Sequence, residues 1–263
     1  MKEKRTNKRI AVVTGASSGI GYTFVKALDQ ILHTTDEIWL IARSKERLEE
    51  LSGQLRMKSR IIPMDLTSSA DITSFEQLLQ KELPSIRILI NAAGLGFMGD
   101  FMDVEQHFQE ETILCNCVGL TRMTRICLPY MAWNARIIQL ASSAAFLPQP
   151  DFAVYAASKA YVLSLSTALG EELRGRGIYV TSVCPGPVST SFFDKAEVFG
   201  KRLAIKNYVM VTPERVVYQA LRDSKKRKRM SVCGVPMRAF YALTKLVPER
   251  FLLFCMRILK VAR

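Results

Sequence analysis

Two side chains able to exchange a proton stand four residues apart in the stretch DFAVYAASKA: Tyr155 and Lys159. At i and i+4 they project from one face of a helix. A free phenol titrates near 10, too high for work at neutral pH. A nearby ammonium favours the phenolate and lowers that value. The pair would then serve as general acid in one direction and base in the other. The plainer alternative is that Tyr155 packs and Lys159 snorkels to water.

A second chemical signal lies near the start of the chain. TGASSGIG, residues 14–21, closes an apolar run and opens a helical one. Gly15 allows a tight turn, Gly19 lets the backbone approach a pyrophosphate, and Gly21 allows close packing of helix on strand. The helix N-terminus then offers free N–H groups and partial positive charge to phosphates. A plain glycine turn is the alternative, and the strand before with the helix after speaks against it. In a Rossmann fold an acid at the end of the second strand would bond the ribose 2′-OH of NAD. Here Ala42 stands at that position and Arg43 follows. A neutral residue beside a guanidinium suits a 2′-phosphate, so the expected cofactor is NADP(H). Arg43 as an ordinary surface cation is the alternative.

Something must hold these groups in place. Six short, β-branched, non-alternating runs read as strands buried on both faces: RIAVVTG, EIWLIAR, RIIPMDL, IRILINA, RIIQLAS and IYVTSVCPG. Helical patterns separate them, at about 19–32, 45–56, 71–83, 104–132 and 154–175. A seventh strand is expected near 230–233. The alternation implies an α/β fold, a Rossmann-type doubly wound parallel sheet of about seven strands with helices on both faces. Residues 1–235 read as one catalytic domain and 236–263 as a helical C-terminal extension.

Composition sets the frame. The chain has 263 residues, 49% of them apolar and 23% charged, which suits a globular chain. None of the six cysteines forms a C-x-x-C pair, so they read as buried thiols in a reducing compartment. The two histidines, His33 and His107, lie far apart, which argues against a histidine-based metal site, and no metal is expected. The basic N-terminus has no apolar secretory core, and no run reaches 18 apolar residues. A cytoplasmic protein is the expectation.

The motifs appear in an order that resembles the short-chain dehydrogenase/reductase family. They are TGASSGIG, Asp65 in MDL, NAAG at 91–94, Asn116 in CNCVG, Ser142 in ASSAA, YAASK at 155–159 and PGPVST at 185–190. The resemblance runs to about residue 220 and implies a catalytic tetrad of Asn116, Ser142, Tyr155 and Lys159. Ser142 would hydrogen-bond the substrate oxygen and stabilise charge developing there. Ser143 is the fallback; strand alternation turns one of the two toward a cleft, and spacing favours Ser142. Lys159 would bind the nicotinamide ribose, and Asn116 would hold a water linking Lys159 to solvent. The cofactor set implied is Gly15, Ser17, Ser18, Gly19, Ile20, Gly21, Arg43, Asp65, Leu66, Asn91, Ala92, Ala93, Gly94, Tyr155, Lys159, Pro185, Gly186, Val188 and Thr190. Asp65 would contact adenine, or cap the next turn. Where the family more often has a second Asn this chain has Ala92. Homodimers or homotetramers built on the helices at 104–132 and 154–175 are also implied.

In this family residues 191–211 would form a mobile lid, made apolar by Phe192, Phe193, Val198, Phe199 and Tyr208. LGFMGDF at 95–101 and FLPQPDF at 146–152 would complete the walls. The expected substrate is a hydrophobic ketone, aldehyde or alcohol; the alternative is that these aromatics pack the lid on its own core. Of the net charge of +13, +10 falls between Arg222 and Arg263. KKRKR at 225–229 reads as a solvated turn, and no nucleic-acid partner is expected. After Pro248, Phe251, Phe254, Ile258 and Val261 form one helical stripe, with Arg250, Arg257 and Lys260 elsewhere. That pattern suits peripheral contact with anionic lipid; a helix docked on the body or on a partner subunit is the plainer reading.

Overall fold

The apolar runs form strands because their residues are covered from both sides. In β1 (Arg9–Thr14) every residue after the first is buried, and in β2 (Glu37–Ala42) all are. The computed structural model describes residues 8–199 and 210–261. β3 (Ser59–Pro63), β4 (Ser85–Asn91), β5 (Met131–Leu140), β6 (Tyr179–Val183) and the short β7 (Met230–Ser231) complete one sheet. Its order is β3-β2-β1-β4-β5-β6-β7, with every pairing parallel.

Alternation along β1 splits the core in two. Ile10 and Val12 join one apolar cluster, Ala11 and Val13 the other. The first is closed by Ile72, Phe75 and Leu79 of α3 (Ser69–Glu82) and by Met123 and Cys127 of α5 (Leu120–Cys127). The second is closed by Phe24, Val25 and Leu28 of α1 (Gly19–Ile31), Leu48 and Leu51 of α2 (Lys45–Gly53), and Val216, Val217 and Ala220 of α8 (Pro213–Lys225). Strand order reverses between β1 and β4, so a crevice opens at their carboxyl ends.

The helix expected at 104–132 differs. It runs as α4 (Gln106–Ile113), a π-helical turn (Leu114–Gly119) and α5, then tightens to a 3-10 turn at Leu128–Tyr130. Pro129 lacks the N–H that would continue the ladder, and Met131 already begins β5. The helix at 154–175 is α6 (Ala153–Glu172), and α7 (Phe192–Ala196) begins the expected lid. Residues 200–209 of that lid, Tyr208 included, lie outside the described residues.

KKRKR is more than a solvated turn. Lys228 pairs with the buried Asp223 at 2.8 Å, Arg229 pairs with Glu171, and the Arg227 guanidinium lies 4.3 Å from the Tyr179 ring centre. The basic run thereby fastens α8 to the edge of the sheet.

Two helices follow, α9 (Val235–Leu246) and α10 (Glu249–Val261), separated at Pro248. Phe240 and Tyr241 of α9 meet Phe146 at ring separations of 6.2 and 4.8 Å. Met237 fills the space where a side chain at Gly186 would stand, 2.6 Å from an added Cβ.

Candidate functional site

The crevice begins where two loops interlock. Gly15 has φ +67°, and a Cβ there would lie 2.7 Å from the Ala93 backbone N. The Ala93 N–H donates to Thr14 Oγ1 at 3.3 Å, tying the loop after β4 to the end of β1. A Cβ on Gly21 would come 2.1 Å from the Gly15 carbonyl oxygen, so only glycine lets α1 sit this close to the turn.

The start of α1 is left open by its side chains. The caps of α2, α3 and α8 (Ser44, Ser68 and Thr212) accept bonds from their own first turns, which carry Glu46, Asp71 and Glu214. The Ser18 cap of α1 makes no such bond, and its first turn holds no acid. Free N–H groups and the positive end of the helix dipole are left facing the crevice. These residues fit the phosphates of a dinucleotide.

The crevice comprises two adjoining chambers. One, about 400 Å³, is lined by Ser17, Gly19, Ala42, Arg43, Asp65 and Leu66, with Ser44 and Arg47 beside them. The other, about 200 Å³, is lined by Ile20, Gly21, Ala92, Ser142, Tyr155, Lys159, Pro185, Gly186 and Val188. Gly15, Ser18, Ala93, Gly94 and Thr190 border both. The first chamber suits the adenosine half. Asp65 caps its own turn there, accepting from the Thr67 N–H and hydroxyl at 2.8 Å each. Arg43 Nη1 pairs with Glu111 Oε1 at 3.1 Å on the rim.

Two expected residues fall outside this lining. Asn91 sits on the Leu89 face of β4 and is turned into the core, donating to Thr124 Oγ1 at 3.0 Å and Gln139 Oε1 at 2.9 Å. Its side chain is a strut between β4, β5 and α5. Asn116, in the π-helical turn, is fully buried. It grips the backbone of Leu95 from both sides, accepting from the N–H at 3.0 Å and donating to the carbonyl at 2.8 Å. Its amide also donates to Ser158 Oγ at 2.9 Å, which donates to the Tyr155 carbonyl at 2.7 Å. Asn116 therefore clasps the β4 loop to α6.

At the catalytic end, β5 stops at Leu140, before the two serines. Strand alternation no longer governs them, and both line the chamber. Ser142 also caps the short turn that follows. Its hydroxyl accepts from the Ala144 N–H at 3.1 Å and lines the same chamber as the Tyr155 phenol. The Tyr155 ring stacks on Phe152 with centres 4.2 Å apart and meets Phe192 at 5.4 Å. Gly96 passes directly over that ring: a Cβ would lie 2.3 Å from Tyr155 Cδ2. Gly96 was not among the expected site residues, although its position in LGFMG was the available signal.

The electrostatics correct one expectation. Burial pushes the Tyr155 phenol up to about 12, against a smaller lowering by the neighbouring Ser142 hydroxyl. Burial pushes Lys159 down to about 8. The ammonium is committed to the Leu140 carbonyl at 2.9 Å and lies 5.6 Å from the phenol ring centre. In the protein alone, desolvation outweighs the expected help from the lysine.

A stability prediction follows from Lys159. Its folded value lies below the ordinary lysine value of 10.5, so its charge weakens the fold at neutral pH. Between about 8 and 10.5 the unfolded chain holds the proton and the folded chain does not, so this penalty fades as pH rises through that window. Lys159→Met should raise the melting temperature at pH 7 by roughly 4–8 °C, after allowance for the lost bond to Leu140. The gain should vanish near pH 10.5. A thermal melt that falls at pH 7 would refute this.

Comparison with known proteins agrees with this geometry. The family model for short chain dehydrogenase matches residues 9–198. An uncharacterized oxidoreductase of Staphylococcus epidermidis is 32% identical over 200 residues, covering 75% of this chain and 85% of the relative. A short-chain dehydrogenase from Sphingobium yanoikuyae in complex with NADPH superposes with TM-score 0.77 at 28% identity, covering 92% of this chain and 97% of that one. The bulky-bulky ketone specific alcohol dehydrogenase from Comamonas testosteroni superposes with TM-score 0.72 at 25% identity, covering 98% and 94%.

Proposed function

This chain belongs to the short-chain dehydrogenase family and is an oxidoreductase, and from that premise we propose that it interconverts a hydrophobic ketone or aldehyde with its alcohol, using NADP(H). The observation that carries the reading is that Ser142, Tyr155 and Lys159 line one chamber together with Ser18, Ile20 and Gly21 at the start of α1.

The bound nicotinamide would supply or accept the hydride. The protein's own groups manage the oxygen and its proton. Ser142 holds the substrate oxygen, and Tyr155 gives that oxygen a proton during reduction or removes one during oxidation. Lys159 stands behind the phenol as a buried cation. In the proposed complex it holds ribose hydroxyls with the N–H groups not used by Leu140. Asn116 acts on the site by fixing Leu95 and, through Ser158, the turn of α6 that carries Tyr155.

The substrate class rests on the walls. Phe152, Phe192 and Phe193 line the chamber with Gln149 as a lone amide. The Met98 N–H donates to the Ala196 carbonyl at 2.6 Å, fastening α7 to the loop after β4. Phe199 packs on Phe97 and Phe108, with centres 6.3 and 5.5 Å apart, so part of the aromatic set holds the lid to the body. A panel of steroid, acyl-chain and aromatic ketones followed by NADPH absorbance would test this reading. Turnover of none, or only of small polar aldehydes, would defeat it. Exposed Ile113, Leu114 and Tyr161 on the α4–α6 side support a homodimer or homotetramer.

The cofactor preference rests on Ala42 and Arg43 in the adenosine chamber, with Arg47 nearby. Arg43→Ala should raise the KM for NADPH about tenfold, the worth of one charge-assisted bond at a partly exposed site. The KM for NADH should stay within about twofold of wild type. Equal effects on both cofactors would overturn the assignment.

A further inference from the structure

The last two helices are apolar on two opposite faces, and the body uses only one of them. In α9 the packed face carries Met237, Phe240 and Tyr241, which meet Gly186 and Phe146. The other face carries Val235, Leu243 and Leu246, exposed by 75%, 45% and 83%. In α10 Leu252 is buried, while Phe251, Phe254 and Ile258 stand about half exposed on the far side. Leu252 is covered, and the helix still presents the stripe expected from sequence; the side chains of Lys260 and Val261 lie outside the described residues.

Exposed apolar stripes need a cover, and charge identifies which one. Arg238, whose Nε donates to the Val232 carbonyl at 3.2 Å, and Lys245, whose ammonium lies 5.7 Å from the Tyr241 ring centre, are exposed on α9, and Arg250 and Arg257 are exposed on α10. Among the described residues no carboxylate pairs with any of the four. The Arg257 guanidinium lies 5.5 Å from the Phe254 ring centre, so cation and apolar group share one surface. A second copy of the chain, packed face to face, would bring like charges together. An anionic, partly apolar surface would satisfy both features at once. Among the described residues no helix is long and apolar enough to cross a membrane, so contact would be in the plane of the bilayer.

We infer that the exposed faces of α9 and α10 form a peripheral binding surface for an anionic lipid bilayer. The apolar stripe enters the headgroup boundary and the four cations meet lipid phosphates. This is independent of which substrate or cofactor the crevice takes.

The test is co-sedimentation of the full chain with vesicles of equimolar phosphatidylcholine and phosphatidylglycerol. The wild type should pellet with them, and vesicles of phosphatidylcholine alone should bind it at least about tenfold more weakly. The same loss is expected for Arg250→Glu with Arg257→Glu, and for Phe251, Phe254 and Ile258 each changed to Ser. NADPH binding and melting temperature serve as folding controls; should the serine variant melt early, the charge-reversed variant decides alone. A wild type that stays in solution at saturating vesicles would overturn the proposal. Equal binding to both vesicle types would do the same, as would a soluble oligomer that the serine variant dissociates, because a second copy would then be the cover.

Discussion

Tyr155→Phe should lower turnover by about 10²–10⁴-fold while leaving cofactor affinity within about threefold. The change removes one oxygen from a ring held by Phe152, Phe192 and the passage of Gly96, so the ring has no reason to move. The loss therefore reports proton transfer and not packing. Stopped-flow measurement of hydride transfer, beside fluorescence titration of NADPH, separates the two. A variant that keeps even a tenth of wild-type turnover would remove Tyr155 from the chemistry. The pH profile gives a second readout. With the phenol pushed up to about 12 in the protein alone, it remains protonated through ordinary pH. Reduction, which needs the proton, should be flat from neutral to alkaline pH. Oxidation, which needs the phenolate, should climb as pH rises. A positively charged oxidised nicotinamide beside the ring would move that climb toward neutrality.

Gly15→Ala is the second large effect. One methyl would sit 2.7 Å from the Ala93 nitrogen, and the residue already has φ +67°. Left-handed backbone costs a non-glycine residue about 1–2 kcal/mol, and crowding in a tight site adds about 1–3. The loops cannot part freely, since Ala93 is bonded to Thr14. A fall in melting temperature of roughly 5–15 °C is expected, with at least about tenfold weaker NADPH binding. A melt within 2 °C of wild type, as a rough measure of no effect, and unchanged affinity would show that the loops separate without cost.

Much of this was legible before the structure, for reasons that particular residues make plain. The strands were readable because a parallel sheet covered on both faces demands continuous apolar, β-branched runs, as Ile38–Ile41 in β2 supply. The glycines of the first turn were readable because backbone contact leaves no alternative. What escaped depends on pleat, register and neighbours distant in the chain. Asn91 shares a strand face with Leu89, so its amide was bound for the core, yet its motif suggested the crevice. The two serines could not be separated by alternation, because the strand ends before them. Asn116 could not be read as a clasp, because its partners Leu95 and Ser158 lie 21 and 42 residues away. The phenol's direction was misjudged because a one-dimensional spacing contains the lysine and not the burial around both groups.

Met237 and Phe240 give the tail a meaning beyond its outer surface. They buttress Gly186 and Phe146, and so the rear of the turn that begins at Ser142. A chain cut before Val235 would lose catalytic competence along with any lipid affinity, and the two losses would look like one. Only surface replacements that spare this inner scaffold can show whether the enzyme works where it is anchored or wherever it happens to diffuse.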